Sequence, residues 1–351
     1  MGRRGGGKTT IREVAAHAGV SVATVSRVLN GTYAAPPATR ERVLRAVAEL
    51  EYVASANARQ LAAPSGLIAL VVNDITAPFF MTVASGVEEQ AAADGRVCLV
   101  CSTRGSSARE LAMVNLMRRR GAEAVVLVGG TAESPEHLAG LADRAAALRR
   151  DGGRLVLCGR AWRGPAAPVL VVDYDVEAGA FAATNHLLSA GHTRVAHLAG
   201  PGAYRVAGRR AEGYRRALRA HGLAPDPELL VEGDLTRRQA TLAARRLLTE
   251  TDATAVFAAN DLSAAGVFAA ARELGRRVPE ELSVVGFDDI PLAEDLVPRL
   301  TTVHVPQREL GRVAARLALR EDTGEAEPVV LGTHVVVRDS VAPPPRLAAA
   351  R

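Results

Sequence analysis

From Leu67 onward, short unbroken apolar runs alternate with stretches of helical periodicity. The first run, Leu67-Ile-Ala-Leu-Val-Val72, has no polar residue on either face. Strands of that kind belong to parallel sheets covered by helices on both sides. Further runs follow at Val97–Cys101, Ala124–Val128 and Leu155–Cys158, with helical stretches near Phe80–Ala93, Glu110–Arg120 and Glu136–Leu148 between them. After Val169–Val172 the pattern begins again, with runs at Val195–Ala199, Leu229–Val231, Ala255–Ala258 and Ser283–Phe287. The order is α/β in two successive halves. Open sheets of this type bind ligands at the carboxyl ends of their strands. Two of them facing each other make a cleft.

Residues 10–30 follow a different rule. Ile11, Val14, Ala15 and Ala18 give one short helix an apolar side, and Gly19 supplies a turn. Ser21 is a good N-cap for a second helix, whose buried stripe is Val25, Val28 and Leu29. Its other side carries Val22, Ala23, Ser26, Arg27 and Asn30. A helix with a small, polar, arginine-bearing outer face suits the DNA major groove, where arginine makes paired bonds to guanine. An ordinary helical hairpin would show the same bare spacing.

The wording of the stretch is more specific than its spacing. Thr10-Ile-Arg-Glu-Val-Ala15, Ala18-Gly-Val-Ser21 and Thr24-Val-Ser-Arg-Val-Leu-Asn30 resemble the headpiece of the lactose-repressor (LacI) family of bacterial transcription regulators, and Thr39–Leu44 with Leu50-Glu-Tyr52 resembles its third helix. The resemblance implies an all-α helix-turn-helix headpiece over residues 9–53. It also implies a two-lobed α/β core over 67–341, like periplasmic binding proteins, with open, mostly parallel sheets. Lobe 1 is expected over about 67–168 and 300–325, and lobe 2 over about 169–297 with part of 326–341. Residues 54–66 match the family's hinge, where Leu61 stands at the leucine that wedges the minor groove and Ala58 and Arg59 precede it. The DNA-contacting set implied is Thr10, Ser21, Val22, Ala23, Thr24, Ser26, Arg27, Asn30, Ala58, Arg59 and Leu61. Pro36 departs from the family pattern, because it cannot cap the third helix through a side-chain oxygen.

Charge supports the same division. Residues 1–61 hold nine Lys and Arg against four acids, whereas the rest of the chain holds 34 of each sign. The whole formal excess of +5 thus lies with the DNA-binding piece, the electrostatic footprint of a nucleic-acid binder. Residues 1–8 read as a basic arm and 342–351 as a tail without leucine heptads. No apolar run approaches the ~18 residues of a membrane span, and no secretory signal is visible. A cytoplasmic protein with no membrane partner is expected. Cys98 and Cys101 have redox or metal spacing but fall on one buried strand, pointing to opposite faces. Inert core cysteines are the expectation, and neither a metal nor another cofactor is implied.

Several strand ends carry groups suited to polyols: Asp74, Phe79 and Phe80, Asp173, Tyr204, Arg210, Asn260 and Asp261, and Asp288. Carboxylates and amides hold hydroxyls, arginine makes paired bonds, and aromatic rings cover apolar sugar faces. Each also has a bland reading as a cap, turn or core residue. The resemblance assigns Arg210, Asn260, Asp261 and Asp288 to the effector site, with Asp173, Phe79 and Phe80 nearby. Leu235 stands where some relatives have an aromatic wall. No nucleophile elbow or His-x-x-x-His pair occurs, so no enzyme is expected. The reading is a homodimeric regulator, a repressor, that binds double-stranded palindromic operator DNA and responds to a small-molecule effector, a sugar or sugar derivative. A nucleoside or purine effector, or control by a protein partner, are the alternatives. A solute-binding protein and a sugar-modifying enzyme are rivals on the same scaffold.

Overall fold

The computed structural model describes residues 9–29, 35–50, 52, 66–320 and 327–345. The chain divides into two compact units, residues 1–66 and 67–351. Among its described residues the smaller holds three helices: α1 (Ile11–Ala18), α2 (Val22–Leu29) and α3 (Pro37–Glu49). Thr10 and Glu13 form a reciprocal capping box at the start of α1. Gly19 closes that helix in the left-handed region (φ 64°, ψ 39°), and Ser21 Oγ accepts from Thr24 N at 3.1 Å to open α2. Val14, Ala15, Ala18, Val25, Val28, Val43, Ala46 and Tyr52 make the core. The third helix begins at Pro37, which fits the first turn without needing its missing N–H. Pro36 provides no side-chain cap.

The larger unit holds two six-stranded sheets. Sheet one comprises β1 (Leu67–Val72), β2 (Val97–Ser102), β3 (Ala124–Val128), β4 (Arg154–Cys158), β5 (Val169–Tyr174) and β11 (Val329–Leu331), in the order β11-β5-β4-β3-β1-β2. Sheet two comprises β6 (Val195–Ala199), β7 (Leu230–Glu232), β8 (Ala255–Ala258), β9 (Ser283–Asp288), β10 (Thr301–His304) and β12 (His334–Val336), in the order β12-β10-β9-β8-β6-β7. Among the described residues only the β10–β12 pair is antiparallel. Helices α4 (Pro78–Ala93), α5 (Ser107–Arg119) and α6 (Pro135–Arg150) follow β1, β2 and β3. In the second lobe lie α7 (Val176–Ser189), α8 (Arg205–Ala220), α9 (Arg237–Glu250), α10 (Asp261–Glu273) and the short α11 (Leu292–Asp295). The chain then returns, and α12 (Gln307–Leu319) packs on α4 and sheet one. Gly86 and Gly311 let those two helices touch, since a Cβ on either would strike the other's backbone carbonyl.

Two expected lobe boundaries shift. β5 completes the first sheet rather than opening the second lobe at 169, and β10 belongs to the second sheet rather than returning to the first near 300. A strand's own sequence does not state its neighbour; pairing with β4 and β9 decides these memberships. The crossovers therefore fall at Tyr174–Val176, His304–Gln307 and Leu331–His334. A continuous apolar core runs through them, from Val72, Val156 and Cys158 in sheet one through Tyr174 and Val176 to Phe287, Val303 and Leu310.

β2 also differs from expectation. It is an edge strand, and Val97, Leu99 and Val100 are 68%, 42% and 41% exposed. Cys98 packs toward the α4 side and Cys101 toward the opposite layer, as strand alternation requires. Burial pushes the Cys98 thiol up to about 11, and the nearby Glu88 charge adds to it. No helix among the described residues is long and apolar enough to cross a membrane.

Candidate functional sites

In the small unit the N-terminal end of α2 is presented outward. Ser21, Val22, Ala23 and Arg27 are exposed, and Thr24 and Ser26 are half-buried beside them. Val22 is 41% exposed although nothing in the fold of this unit requires an apolar side chain there. Thr10 lies exposed at the cap of α1. The remaining expected DNA contacts, Asn30, Ala58, Arg59 and Leu61, lie outside the described residues.

In the large unit, the carboxyl ends of the two sheets bring several of the expected groups together. Arg210, on the second turn of α8, is buried and donates from Nη2 to Asp288 Oδ1 at 3.2 Å. Its guanidinium lies 4.2 Å from the centre of the Phe287 ring. Arg210 Nε is buried with no hydrogen-bond partner among the described residues. Burial pushes the Asp288 carboxyl up to about 7, although Arg210 beside it pulls the other way. Tyr174, at the end of β5, is buried close enough for both charges to act on its hydroxyl, whose pKa burial raises. The Phe79 ring stands 6.2 Å from that of Tyr174 and 5.5 Å from Phe80, edge to face.

The other expected residues are engaged by the protein itself. Asp173 accepts from Tyr174 N at 2.9 Å and from Arg209 Nη1 at 2.7 Å. Asn260 caps α10 by accepting from Ser263 N, and its amide donates to Leu235 O. Asp261 is buried; it accepts from Ile290 N at 2.8 Å and Thr302 Oγ1 at 2.5 Å. Burial, reinforced by the Asp288 charge, raises its carboxyl well above the usual range. Gly286 makes room for it, since a Cβ there would collide with the carboxylate. Asp74 is exposed and closes a local turn onto Thr76. Tyr204 begins α8, and its hydroxyl lies 2.7 Å from where a Cβ on Gly105 would stand.

Sequence reasoning missed Arg209, Glu133 and Gly105. Arg209 is one more arginine on a basic helix, and its partner lies 36 residues away in the other lobe. Backbone strain would have been a better signal. The left-handed non-glycine residues among the described residues are Arg104, Leu235, Asp288 and Asp289, with φ of 52°, 69°, 106° and 59°. All four sit at or just beyond carboxyl ends of strands. Such conformations cost energy and collect at functional sites, but a sequence does not display them. Three histidines near strands are held by the protein itself. His192 lies between Thr254 and Ala342, and His304 pairs with Asp289. His197 is buried against Phe257, and burial pushes it down to about 4.

A strand-end cleft in one unit and an outward helix in another are a combination found in known proteins. Residues 10–55 match the model of bacterial regulatory proteins of the lacI family, and residues 184–341 match that of the periplasmic binding protein-like domain. The transcriptional regulator CelR of Thermobifida fusca is 37% identical over 343 residues, covering 95% of this chain and 98% of that protein. The chain belongs to the lacI family. Among solved structures, a CelR–cellobiose complex matches with a TM-score of 0.70 at 36% identity, covering 95% of this chain and 100% of that one. The lac repressor dimer bound to operator and the anti-inducer ONPF matches with a TM-score of 0.80 at 26% identity, covering 96% and 100%. As a lacI-family protein, this chain is a DNA-binding transcription regulator and not an enzyme, with a helix-turn-helix unit and a two-sheet effector-binding core. Its Arg210–Asp288 pair lies at the strand ends of that core.

Proposed function

We propose that this regulator is a homodimeric, cytoplasmic repressor whose operator affinity is set by a neutral carbohydrate bound between the two sheets. The observation that carries the ligand class is the balance of charge at the strand ends. Each of three arginines on α8 already faces a carboxylate: Arg205 and Glu133 at 3.7 Å, Arg209 and Asp173 at 2.7 Å, Arg210 and Asp288 at 3.2 Å. An anionic ligand would have to displace one of these acids. A polyol needs only donors and acceptors, and Arg210 Nε and Asp288 offer both, with Phe79 and Phe80 as apolar cover. The cellobiose bound by the related CelR belongs to that class. On the DNA side, Val22, Ala23, Ser26 and Arg27 meet base edges, while Thr10, Ser21 and Thr24 meet the backbone.

The exposed apolar edge of β2 supports the dimer. A long apolar edge strand is an association site unless it is covered. A two-fold pairing there would present two DNA-reading units to a palindrome. The test is a thermal-shift screen of neutral sugars, sugar phosphates and nucleosides, followed by operator binding with the hit. A neutral sugar should raise the melting temperature of the wild type and change operator affinity, and should do neither with Arg210→Gln. Stabilisation by the phosphorylated compounds alone would refute the neutral class.

A further inference from the structure

The arginine next to the effector pair does something different from it. Arg209 donates from Nη1 to Asp173 Oδ2 at 2.7 Å and from Nη2 to the Tyr174 carbonyl at 3.3 Å. Asp173 and Tyr174 end β5 of sheet one, whereas α8 packs with α7 and sheet two. This fork therefore spans the two lobes at the first crossover. The adjacent Arg210 holds Asp288, whose carbonyl in turn accepts from Gln307 Nε2 at 2.6 Å and Val305 N at 3.4 Å, within the second crossover. One turn of one helix thus grips two of the three chain crossings. One turn earlier, Arg205 reaches Glu133 and Tyr204 reaches Gly105, both in loops of the first lobe. The Asp173 side chain is 5% exposed and that of Arg209 31%. Parting the lobes would leave a buried carboxylate without its cation, a costly state.

We infer that Arg209 is a positioning residue: it latches the two lobes together through Asp173 and Tyr174, and so sets the distance between Phe79 and Tyr174 on one side and Arg210 and Asp288 on the other. It need not touch the effector. The inference rests on the cleft reading only for its consequence, since the latch itself is a contact between lobes. The effector would then act on a lobe equilibrium that Arg209 already biases.

The experiment measures lobe separation directly in the full chain with no sugar added. Spin labels go on Glu136→Cys in α6 and Arg238→Cys in α9, both exposed and on different lobes, with Cys98→Ser and Cys101→Ser as background. The pulsed electron–electron distance distribution should be narrow with Arg209 present and should move to longer, broader values with Arg209→Ala. Arg209→Lys keeps the charge and should restore most of the short population. Adding Asp173→Asn to Arg209→Ala should produce no further opening, because the pair is already broken. Should Arg209→Ala fail to fold, Arg209→Gln decides by the same distance. Identical distributions for the arginine and the alanine or glutamine proteins would overturn the latch. If the variant opens while cellobiose and the other sugars bind neither protein, the latch stands and the proposed effector class falls.

Discussion

Replacing Asp288 by asparagine separates the cost of its charge from the cost of its shape. Its carboxyl is pushed up to about 7 from an ordinary 3.8 because burial disfavours the charged form more than Arg210 favours it. The folded protein therefore holds this proton over a range where the unfolded chain has lost it. Stability contributed by the protonated group is fully present below the unfolded value, is lost as pH rises, and levels off above about 7. Three pK units correspond to about 4 kcal/mol in all, of which about 2–3 kcal/mol falls between pH 5 and 8. Asp288→Asn has nearly the same size and cannot ionise. At pH 5 the variant should already be more stable by about 1–2 kcal/mol, because the unfolded wild-type chain has ionised its aspartate while the folded carboxyl still holds its proton. At pH 8 that gap should widen to about 4 kcal/mol. Urea denaturation of both proteins at four pH values between 5 and 8 reads the difference directly. A stability difference that stays flat across the range would refute the reasoning, because it would mean that Asp288 does not titrate there. Effector binding should show the opposite pH dependence: hydroxyls donating to an ionised Asp288 bind more weakly as pH falls below 7, and the asparagine variant should lack that slope.

Two further outcomes follow from residues elsewhere. Arg27→Ala should reduce discrimination between operator and random DNA by about 1–3 kcal/mol at fixed salt, the loss of one paired base contact; an unchanged ratio in a fluorescence anisotropy competition would remove Arg27 from the reading set. Glu110→Ala should destabilise the core by about 3–5 kcal/mol, because Glu110 Oε1 is the carboxylate facing both Arg160 Nη2 at 3.0 Å and His137 Nε2 at 3.1 Å, all three being buried. Burial works to raise the Glu110 carboxyl, but the bond from Arg160 and the His137 ring beside it outweigh that and leave it below its ordinary value. Its stabilising contribution is thus present above the unfolded pKa and lost as pH falls through the folded one, and a wild-type melting temperature that drops no faster than that of Glu110→Ala on acidification would contradict the assignment.

Much of this architecture is legible along the chain because its causes are local. Thr10 and Glu13 stand three apart, and a capping box is a property of that spacing. Gly19 marks a left-handed turn because a residue without a Cβ adopts it readily. Leu67–Val72 announces a strand covered on both faces by lacking any polar residue, and every residue of β1 but Leu67 is buried. The same logic misreads β2, where Val97–Cys101 is equally apolar but lies at a sheet edge. Apolar character records that a residue avoids water; it does not say whether this chain or a second one covers it.

Residue identity and spacing determined the elements, the two-unit division, the concentration of positive charge near the DNA-reading helix, and the family. Tertiary structure alone decided which sheet β5 and β10 join, and therefore where the chain crosses between lobes. It decided that Asp173 and Asp261 are engaged by the protein, while Arg210 keeps an unpaired Nε beside Asp288. It also brought Arg209 to a carboxylate in the other lobe. These are contacts between residues tens of positions apart. Their geometry depends on the packing of whole sheets, and desolvation of a charge depends on everything around it, so no local stretch of sequence encodes either one.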